Sequence, residues 1–227
     1  MVAQLASYID HTLLKATASA TDIDRLCQEA RQYGFAAVCV PPYYVKRAHQ
    51  QLEGSGVKTA TVIGFPLGYV PIEAKCTEVQ QAIADGADEL DMVINLAALF
   101  SGDEAYLKRE IESILPRVKE AGKVLKLIVE SGLLSESQLI YCCRLYGAYP
   151  IDFLKTSTGF AEKGATLEAV KCMRAHLPPH IQIKASGGIR HYEQVKQYLE
   201  AGATRIGCSA SVAIMQACLS ADSKPGQ

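Results

Sequence analysis

One arrangement recurs along the chain: a helix-like segment ends at a glycine, a short polar link follows, and an apolar strand comes next. Glycine directly after a helix favours the left-handed C′ conformation, which other residues resist. Between the strands, apolar residues such as Ile72, Cys76, Val79 and Ile83 have the spacing of one helix face. The chain is therefore predicted to alternate strands and helices. The glycines of this arrangement are Gly34, Gly86, Gly122, Gly147 and Gly202.

Eight strands can be placed in this way. Strands that alternate with helices form parallel βαβ units, and eight such units in 227 residues predict a single-domain (β/α)8 TIM barrel. A doubly wound open sheet is the alternative, but no Gly-x-Gly-x-x-Gly follows the first strand and the sequence has no P-loop. We predict a barrel domain over residues 1–220, with a short N-terminal lead-in, and a frayed tail over 221–227. Thr21, followed by Asp24, is predicted to cap the first long helix. The predicted strands are SYIDHT, AAVCV, TATVIGF, ELDMVI, VLKLIVE, FLKTST, IQIKAS and RIGCS.

The overall composition is that of an ordinary globular protein, with 49% hydrophobic residues and a net charge of −1. Basic residues are scattered, so no nucleic-acid partner is predicted. No apolar run approaches the roughly 18 residues of a membrane span, and the first residues do not have the pattern of a secretory signal. The eight cysteines include no Cys-x-x-Cys pair and are interpreted as free structural residues. These features predict a cytoplasmic protein with no membrane partner.

A lysine in the middle of a predicted buried strand is the strongest chemical signal. The segment DFLKTSTGF (152–160) begins as an apolar strand, yet Lys155 interrupts it. Strands of a parallel sheet are normally almost continuous Val, Ile and Leu. A buried and unpaired ammonium costs several kcal/mol by order of magnitude. A lysine kept neutral is a nucleophile toward carbonyl groups, so Lys155 is a candidate for imine formation.

Other predicted strands also carry charged residues toward the carboxyl ends, where barrels of this kind place their chemistry. Any single strand lysine is more often a residue that reaches water, but Lys126, Lys155 and Lys184 in one barrel favour a site. A second ammonium within about 4–6 Å disfavours the charged form of the first, so Lys184 would lower the pKa of Lys155. Asp91 could then shuttle protons. Further polar strand residues are Asp10, Cys39, Asn95, Glu130 and Ser209.

The ends of the last two predicted strands suggest a phosphate site. Strand seven ends at Gly187-Gly188, and strand eight ends with Gly207 and, two residues later, Ser209. The loops after strands seven and eight, with the start of a short helix, commonly bind phosphate in this fold. A Gly-Gly pair alone is usually a turn, so its position in the barrel carries the inference. Arg190 either contributes to this site or is solvated.

Metal chemistry is not supported by the histidines. His176 and His180 are four residues apart, but two prolines between them prevent a shared helical face. His11 is interpreted as a structural hydrogen-bonding residue. No His, Asp or Glu cluster has ligand spacing, so we predict no metal and no organic cofactor. Pyridoxal phosphate on Lys155 is an alternative that would give a yellow protein.

Seven blocks, taken in order from about residue 8 to residue 212, resemble the deoxyribose-phosphate aldolase family, whose members are class I aldolases that form a Schiff base. The KTSTGF and KASGGIR blocks are specific to that family, and the others are supportive. The blocks are DHTL (10–13), ATVIGFPLG (60–68), GADELDMVIN (86–95), LKLIVE (125–130), DFLKTSTGF (152–160), KASGGIR (184–190) and RIGCS (205–209).

The resemblance implies a lyase that reversibly cleaves 2-deoxy-D-ribose 5-phosphate to D-glyceraldehyde 3-phosphate and acetaldehyde, in deoxyribonucleotide and carbohydrate catabolism. It implies that Lys155 forms the Schiff base, that Lys184 lowers its pKa and transfers protons, and that Asp91 relays protons. The partners would be the phosphosugar and acetaldehyde, with a homodimer as the expected assembly. The implied substrate-binding residues are Asp10, Lys126, Thr158, Gly159, Gly187, Gly188, Gly207 and Ser209.

The sequence departs from the family after Phe160, where many members are glycine-rich and this chain has Ala161-Glu162-Lys163. The exact phosphate contacts are therefore left open. Two other functions are also open: a Schiff-base barrel aldolase for another phosphosugar, and a catalytically silent phosphate-binding barrel whose lysines steer anions. Cys39 is expected near the site and is a candidate target of inactivation by aldehydes.

Overall fold

The computed structural model describes residues 2–222 and contains a closed barrel of eight parallel strands. Each strand pairs with the next strand along the chain, and the first strand closes the ring against the eighth. The (β/α)8 architecture predicted from the alternation of strands and helices is confirmed. The strands are β1 (Ile9–Thr12), β2 (Ala37–Val40), β3 (Lys58–Ile63), β4 (Glu89–Val93), β5 (Val124–Ile128), β6 (Phe153–Lys155), β7 (Gln182–Ser186) and β8 (Arg205–Cys208).

Helices connect the strands and surround the barrel. None of the described helices is long and apolar enough to cross a membrane. The last helix continues to Asp222, so it includes the first two residues of the tail predicted at 221–227, while residues 223–227 lie outside the described part of the chain. Short 3₁₀ turns at Pro42–Tyr44 and Ser131–Leu133 follow β2 and β5. The helices are α1 (Val2–Ala6), α2 (Ala20–Tyr33), α3 (Val45–Leu52), α4 (Ile72–Ala84), α5 (Leu96–Phe100), α6 (Glu104–Glu120), α7 (Glu136–Gly147), α8 (Leu167–His176), α9 (Tyr192–Glu200) and α10 (Ser211–Asp222).

The glycines predicted to end helices have the left-handed conformation at four of five positions. Gly147 is the exception, because it is the last residue of α7 itself. A Cβ atom at this position would lie 3.0 Å from Cδ of Pro178, so close packing explains the glycine there. The four left-handed glycines, with their φ angles, are Gly34 (69°), Gly86 (99°), Gly122 (66°) and Gly202 (107°).

Helix α2 begins before the cap predicted at Thr21. Ser19 is the N-cap: its hydroxyl accepts a hydrogen bond from the Asp22 amide, and the Asp22 carboxylate accepts one from the Ser19 amide at 3.0 Å. This reciprocal pair satisfies two amides that would otherwise lack partners at the start of the helix. Thr21 and Asp24 instead lie within α2, so the predicted cap is wrong by two residues.

The interior of the barrel is divided between apolar and charged side chains. One face of every strand packs with the helices in a large apolar core. Inside the barrel, β2 and β3 contribute a small apolar cluster, whereas six other strands contribute charged residues. This division places buried charge on one side of the barrel. The small apolar cluster consists of Ala37, Cys39, Ala60 and Val62.

Candidate active site

Seven charged side chains from six strands meet inside the barrel, and we call this set the barrel cluster. Four are cationic and three are carboxylates, and every one of them forms an ion pair within the set. All are nearly inaccessible to solvent; the Arg205 side chain is the most exposed, at 15%. Buried charges of this kind persist only when they are paired. The members are Asp10, Glu89, Asp91, Lys126, Lys155, Lys184 and Arg205.

Asp91 joins the three lysines of the barrel cluster. Its Oδ2 accepts hydrogen bonds from Nζ of Lys155 at 2.8 Å and Nζ of Lys184 at 2.7 Å, and its Oδ1 accepts from Nζ of Lys126 at 2.7 Å. Burial alone would raise the pKa of Asp91, but the three ammonium groups outweigh burial and hold the pKa well below its usual range. Asp91 is therefore a carboxylate that touches each of the strand lysines predicted from the sequence.

A second set of contacts fixes Lys126 as an ammonium. Its Nζ lies 2.5 Å from Glu89 Oε2 and 3.4 Å from Asp10 Oδ2. Arg205 Nη1 donates to Asp10 Oδ1 at 2.7 Å, and Asp10 Oδ2 also pairs with Lys184. Burial would lower the pKa of Lys126, but the carboxylates around it outweigh burial and raise that pKa well above the usual range. Lys126 therefore keeps its proton at neutral pH.

Lys155 differs from the other two lysines in its proton affinity. Burial lowers the pKa of Lys155; the Asp91 carboxylate opposes this shift, and the Lys184 ammonium adds to it. Burial also acts to lower the pKa of Lys184, but Asp10 and Asp91 outweigh it and raise that pKa. The lowering effect predicted for Lys184 on Lys155 is present, although burial is the larger cause. Lys155 is the amine of the barrel cluster that gives up its proton most readily.

A cavity of about 310 Å³ opens at the carboxyl ends of the strands. Lys155 lines this cavity, and the other six members of the barrel cluster do not. The cavity therefore gives a small molecule access to one amine of the barrel cluster, and the other members of the cluster do not line it. Six of the eight residues expected to bind substrate also line it. They are Thr158, Gly159, Gly187, Gly188, Gly207 and Ser209.

Asp10 and Lys126 are the two expected substrate-binding residues that do not line the cavity. Both are fully buried, and their contacts are within the barrel cluster. The strand register gives the reason: Lys126 pairs with Phe153, whereas Lys155 pairs with Ile128, two residues farther along β5. Lys126 is thus one layer deeper than Lys155. In this geometry Asp10 and Lys126 lie below the cavity and support the barrel cluster, and their contact with substrate stays a prediction.

The loops after β6 and β7 approach each other at one wall of the cavity. Gly187 has a φ of 91°, and a Cβ atom at this position would lie 2.9 Å from Cα of Gly164. The Ala165 amide donates to a carbonyl of the β7 end, which holds the two loops together. Glu162 and Lys163 are exposed and do not line the cavity. The departure from the family sequence therefore brings no acidic group into this wall.

Glu130 lies beyond the end of β5 and orders the loop after β6. Its φ is 53°, an unusual conformation for a residue other than glycine, and its carboxylate accepts from the Thr158 amide at 3.2 Å and hydroxyl at 2.5 Å. The Thr158 hydroxyl in turn accepts from the Phe160 amide at 3.0 Å. Burial raises the pKa of Glu130. The prediction of Glu130 as a strand residue is wrong, because β5 ends at Ile128 and the chain turns at Glu130. The carboxylate of Glu130 then holds the loop after β6 through Thr158.

Some site residues were not predicted from the sequence. Glu89 and Arg205 belong to the barrel cluster, and Lys15, in the loop after β1, lines the cavity. Glu89 could have been found, because it is two residues before Asp91 and therefore on the same strand face. Lys15 lies in a loop at the carboxyl ends of the strands, where site residues are expected in this fold.

His11 and Cys39, considered for metal binding and thiol chemistry, have surroundings typical of structural residues: a hydrogen-bond partner for His11 and full burial for Cys39. Among residues 2–222, no group of three or more His, Cys, Asp or Glu side chains could hold a metal ion. His11 Nε2 lies 2.7 Å from Glu29 Oε2, consistent with a hydrogen-bonding role. Cys39 is fully buried, and burial together with the nearby Asp91 carboxylate raises the pKa of its thiol to about 11. At neutral pH this thiol is protonated and weakly nucleophilic.

The fold and the cavity together define a class: a (β/α)8 barrel with a lysine-centred cavity at the carboxyl ends of its strands. Comparison with known proteins gives the family. The family described as "DeoC/LacD family aldolase" matches residues 4–217. The chain therefore belongs to the DeoC/LacD family of aldolases, and it is a lyase.

Individual relatives agree with this assignment. The deoxyribose-phosphate aldolase of Thermococcus gammatolerans is 50% identical over 220 residues, which cover 96% of this chain and 98% of the relative. That of Caldicellulosiruptor saccharolyticus is 47% identical, with 93% of this chain and 97% of the relative covered. A solved deoxyribose phosphate aldolase from Aeropyrum pernix, described as a tetramer, has a TM-score of 0.90 and 35% identity, covering 97% of this chain and 93% of that one.

Proposed function

We propose that this aldolase reversibly cleaves 2-deoxy-D-ribose 5-phosphate to D-glyceraldehyde 3-phosphate and acetaldehyde through a Schiff base on Lys155. The observation that carries the proposal is that Lys155 combines access to the cavity with a lowered pKa. The relatives described above act, by their names, on deoxyribose phosphate. The product chemistry would make the enzyme part of deoxyribonucleotide and carbohydrate catabolism.

The charge balance of the barrel cluster supports the choice of Lys155. Four cationic groups are paired with three carboxylates. If all four cationic groups are protonated and all three carboxylates are ionised, the cluster has one positive charge in excess. Lys126 touches three carboxylates and Lys184 touches two, whereas Lys155 is paired with Asp91 alone. The excess proton is lost most easily from the amine with the fewest anionic partners. That amine faces the cavity and is therefore free to attack a carbonyl carbon.

The proposed reaction begins when neutral Lys155 adds to the C1 aldehyde of the open-chain sugar. Loss of water gives a protonated imine. Removal of the proton from the C3 hydroxyl then breaks the C2–C3 bond, and its electron pair moves into the imine to form an enamine. Protonation of the enamine at C2 and addition of water release acetaldehyde and restore the amine. No organic cofactor or metal ion is needed to balance these steps.

Lys184 and Asp91 are proposed to handle the protons of this sequence. Oδ2 of Asp91 lies 2.7 Å from Nζ of Lys184 and 2.8 Å from Nζ of Lys155, so it links the two amines. Lys184 holds a proton because its pKa is raised, and Asp91 is ionised because its pKa is lowered. A proton can pass between these groups and the reacting atoms through hydrogen bonds or one water. Their fixed positions in a buried cluster would stabilise the changing charge without reorganisation.

The wall formed by the loops after β6, β7 and β8 is the proposed phosphate site. It combines positive-φ glycines with the Ser209 hydroxyl, and two cationic side chains, Lys15 and Arg190, line the same cavity. Backbone amides in such turns bind anions at close range. Lys155 and this wall line the same cavity. A five-carbon phosphate ester bound there would place its aldehyde at Lys155 and its phosphate at the wall.

The test is intact-mass and peptide spectrometry after addition of acetaldehyde followed by borohydride. We expect one two-carbon adduct on Lys155, because reduction converts the imine to a stable secondary amine. The Lys155→Leu variant should show no adduct and no turnover of deoxyribose 5-phosphate. Lys15→Met is the matched control, since Lys15 lines the same cavity but is exposed and outside the cluster.

The outcomes separate the alternative functions. An adduct on Lys155 with turnover of another phosphosugar in place of deoxyribose 5-phosphate would keep the imine mechanism and replace the substrate. A folded protein without an adduct on Lys155 would refute the mechanism and favour a phosphate-binding barrel. Self-association, expected from the resemblance as a homodimer, is tested by light scattering of the parent protein.

A further inference from the structure

A second buried ion pair lies outside the barrel, between two neighbouring helices. Nζ of Lys75 on α4 is 2.7 Å from Oε1 of Glu110 on α6, and the two side chains are 0% and 1% exposed. The proposed reaction uses neither residue. Burial of an ion pair costs so much desolvation that well-packed apolar residues are often equally or more stable at such positions. Stability alone is therefore a weak explanation for this pair.

The other hydrogen bonds of the pair go to the carboxyl end of β4. Lys75 Nζ donates to the Val93 carbonyl at 2.7 Å, and the Asn95 amide donates to Glu110 Oε2 at 3.0 Å. These backbone groups are two and four residues beyond Asp91. Asn95 also begins α5, because its side chain accepts from an amide of the first turn. The pair therefore holds, by two hydrogen bonds, the segment that follows Asp91 at the end of β4.

The same lysine supports the loop after β3. A Cβ atom on Gly64 would lie 2.6 Å from Cε of Lys75, so the loop lies directly against the lysine stem. The Gly64 amide donates to Glu78 of α4 at 2.7 Å. This loop carries Phe65, whose ring meets that of Phe160 edge-on at 5.1 Å. Phe160 lines the cavity, so the loop that packs against Lys75 also touches the cavity lining through Phe65.

We propose that Lys75 and Glu110 are positioning residues that fix the end of β4, and with it the placement of Asp91 against Lys155 and Lys184, from outside the barrel. The inference rests on the proposed Schiff-base function. Asp91 must contact three lysines at once, so a small shift of β4 would change several contacts together. A displacement of about 1 Å can reduce a rate on the order of a hundredfold. The hydrogen bonds of the pair go to the end of β4 and reach the loops of the phosphate wall only indirectly, through Phe65, so the effect is expected in kcat more than in KM.

The experiment compares the parent with Lys75→Met, Glu110→Gln and the double variant Lys75→Met/Glu110→Leu. Unfolding by urea, and kcat and KM for deoxyribose 5-phosphate, are measured for each. Each single variant leaves one buried group without its partner and should lose stability. The double variant removes both charges and should regain much of that stability, while its kcat stays low by roughly ten- to a hundredfold with little change in KM.

Val118→Ala is the matched control. Val118 is fully buried on α6, about two turns from Glu110, and makes none of the side-chain hydrogen bonds by which Lys75 and Glu110 hold the end of β4. Its truncation should lower stability and leave kcat unchanged. A loss of kcat in Val118→Ala that matches its loss of stability would show that any damage to α6 has the same effect, and would overturn the proposal.

Parental kcat in a folded double variant would also overturn the proposal. If that variant does not fold, Glu110→Gln tests the proposal in its place, because it keeps the shape of the side chain and removes its charge. Parental kcat in Glu110→Gln would then overturn the proposal. The borohydride experiment on the parent separates this inference from the proposed function. Trapping on Lys155 with fully active pair variants rejects the positioning role alone, whereas absence of trapping in the parent rejects the function.

Discussion

The barrel cluster and the Lys75–Glu110 pair are both buried, but they differ in charge balance and in access to solvent. The barrel cluster has four cations for three carboxylates, and one of its amines lines a cavity. The outer pair has one charge of each sign and is closed on all sides. Burial lowers the pKa of Lys75 and raises that of Glu110, and each partner opposes the shift of the other. An excess of cations favours the neutral form of one amine, whereas in a balanced pair each charge has a partner.

Asp91→Asn is expected to have the largest effect, because it removes the carboxylate that all three lysines of the barrel cluster share. Turnover should fall on the order of 10²- to 10⁴-fold, as for loss of a positioned proton-transfer group. Stability should fall by about 3–5 kcal/mol, because buried ammonium groups lose their partner. Asp91 raises the pKa of Lys155, so its loss lowers that pKa further, and the amine stays neutral to lower pH. Borohydride trapping of acetaldehyde should therefore persist in a variant without turnover.

Glu89→Gln is the control within the same cluster. Glu89 contacts Lys126 and Arg205 but not Lys155. Its loss should lower the free energy of unfolding, measured in urea, and affect turnover far less than Asp91→Asn does. Equal losses of turnover in the two variants would mean that the cluster acts through its total charge and not through the contacts of Asp91.

Lys184→Met should produce a smaller effect, visible in the pH dependence. The pKa of Lys155 is shifted by burial and by three neighbouring side chains, those of Asp91, Lys184 and Cys39. Lys184 lowers that pKa, so its removal raises it, and a higher pH is then needed to obtain the neutral amine. The acid limb of the kcat/KM profile should move to higher pH, with lower activity at neutral pH. Lys15→Met, outside the cluster, should leave the limb in place; a limb that moves to lower pH in Lys184→Met would contradict the assigned direction.

The sequence allowed the strands to be predicted and identified Lys155 as the candidate nucleophile, because each inference depends on local pattern. Apolar strands separated by helical periodicity define the barrel, and a charged residue such as Lys155 is conspicuous within them. The depth of each residue could not be predicted, since it depends on the stagger between strands. Lys126 and Lys155 have the same appearance in the sequence, yet the register places them in different layers.

The outer pair was invisible for a different reason. Lys75 and Glu110 are in amphipathic helices, where a charged residue is most often solvated. Their burial follows from the way α4 and α6 pack against each other and against the end of β4, which no local pattern specifies. Glu130 was misplaced for a similar reason, because its left-handed conformation is held by a hydrogen bond to Thr158, 28 residues away.

The smallest expected effect concerns the exposed cations of the cavity, Lys15 and Arg190, which extend the comparison to charges that are not buried. Each is replaced by Met, and kcat/KM is measured with deoxyribose 5-phosphate and with unphosphorylated deoxyribose. Solvent screens exposed charges, so each replacement should reduce kcat/KM for the phosphate ester only about two- to fivefold. The reduction should shrink as salt is raised, because the screening length falls to about 8 Å near physiological ionic strength and shorter above it. Unphosphorylated deoxyribose serves as the internal control and should react equally with parent and variants. A loss shared by both sugars and independent of salt would instead mean that these side chains shape the cavity and do not attract the phosphate.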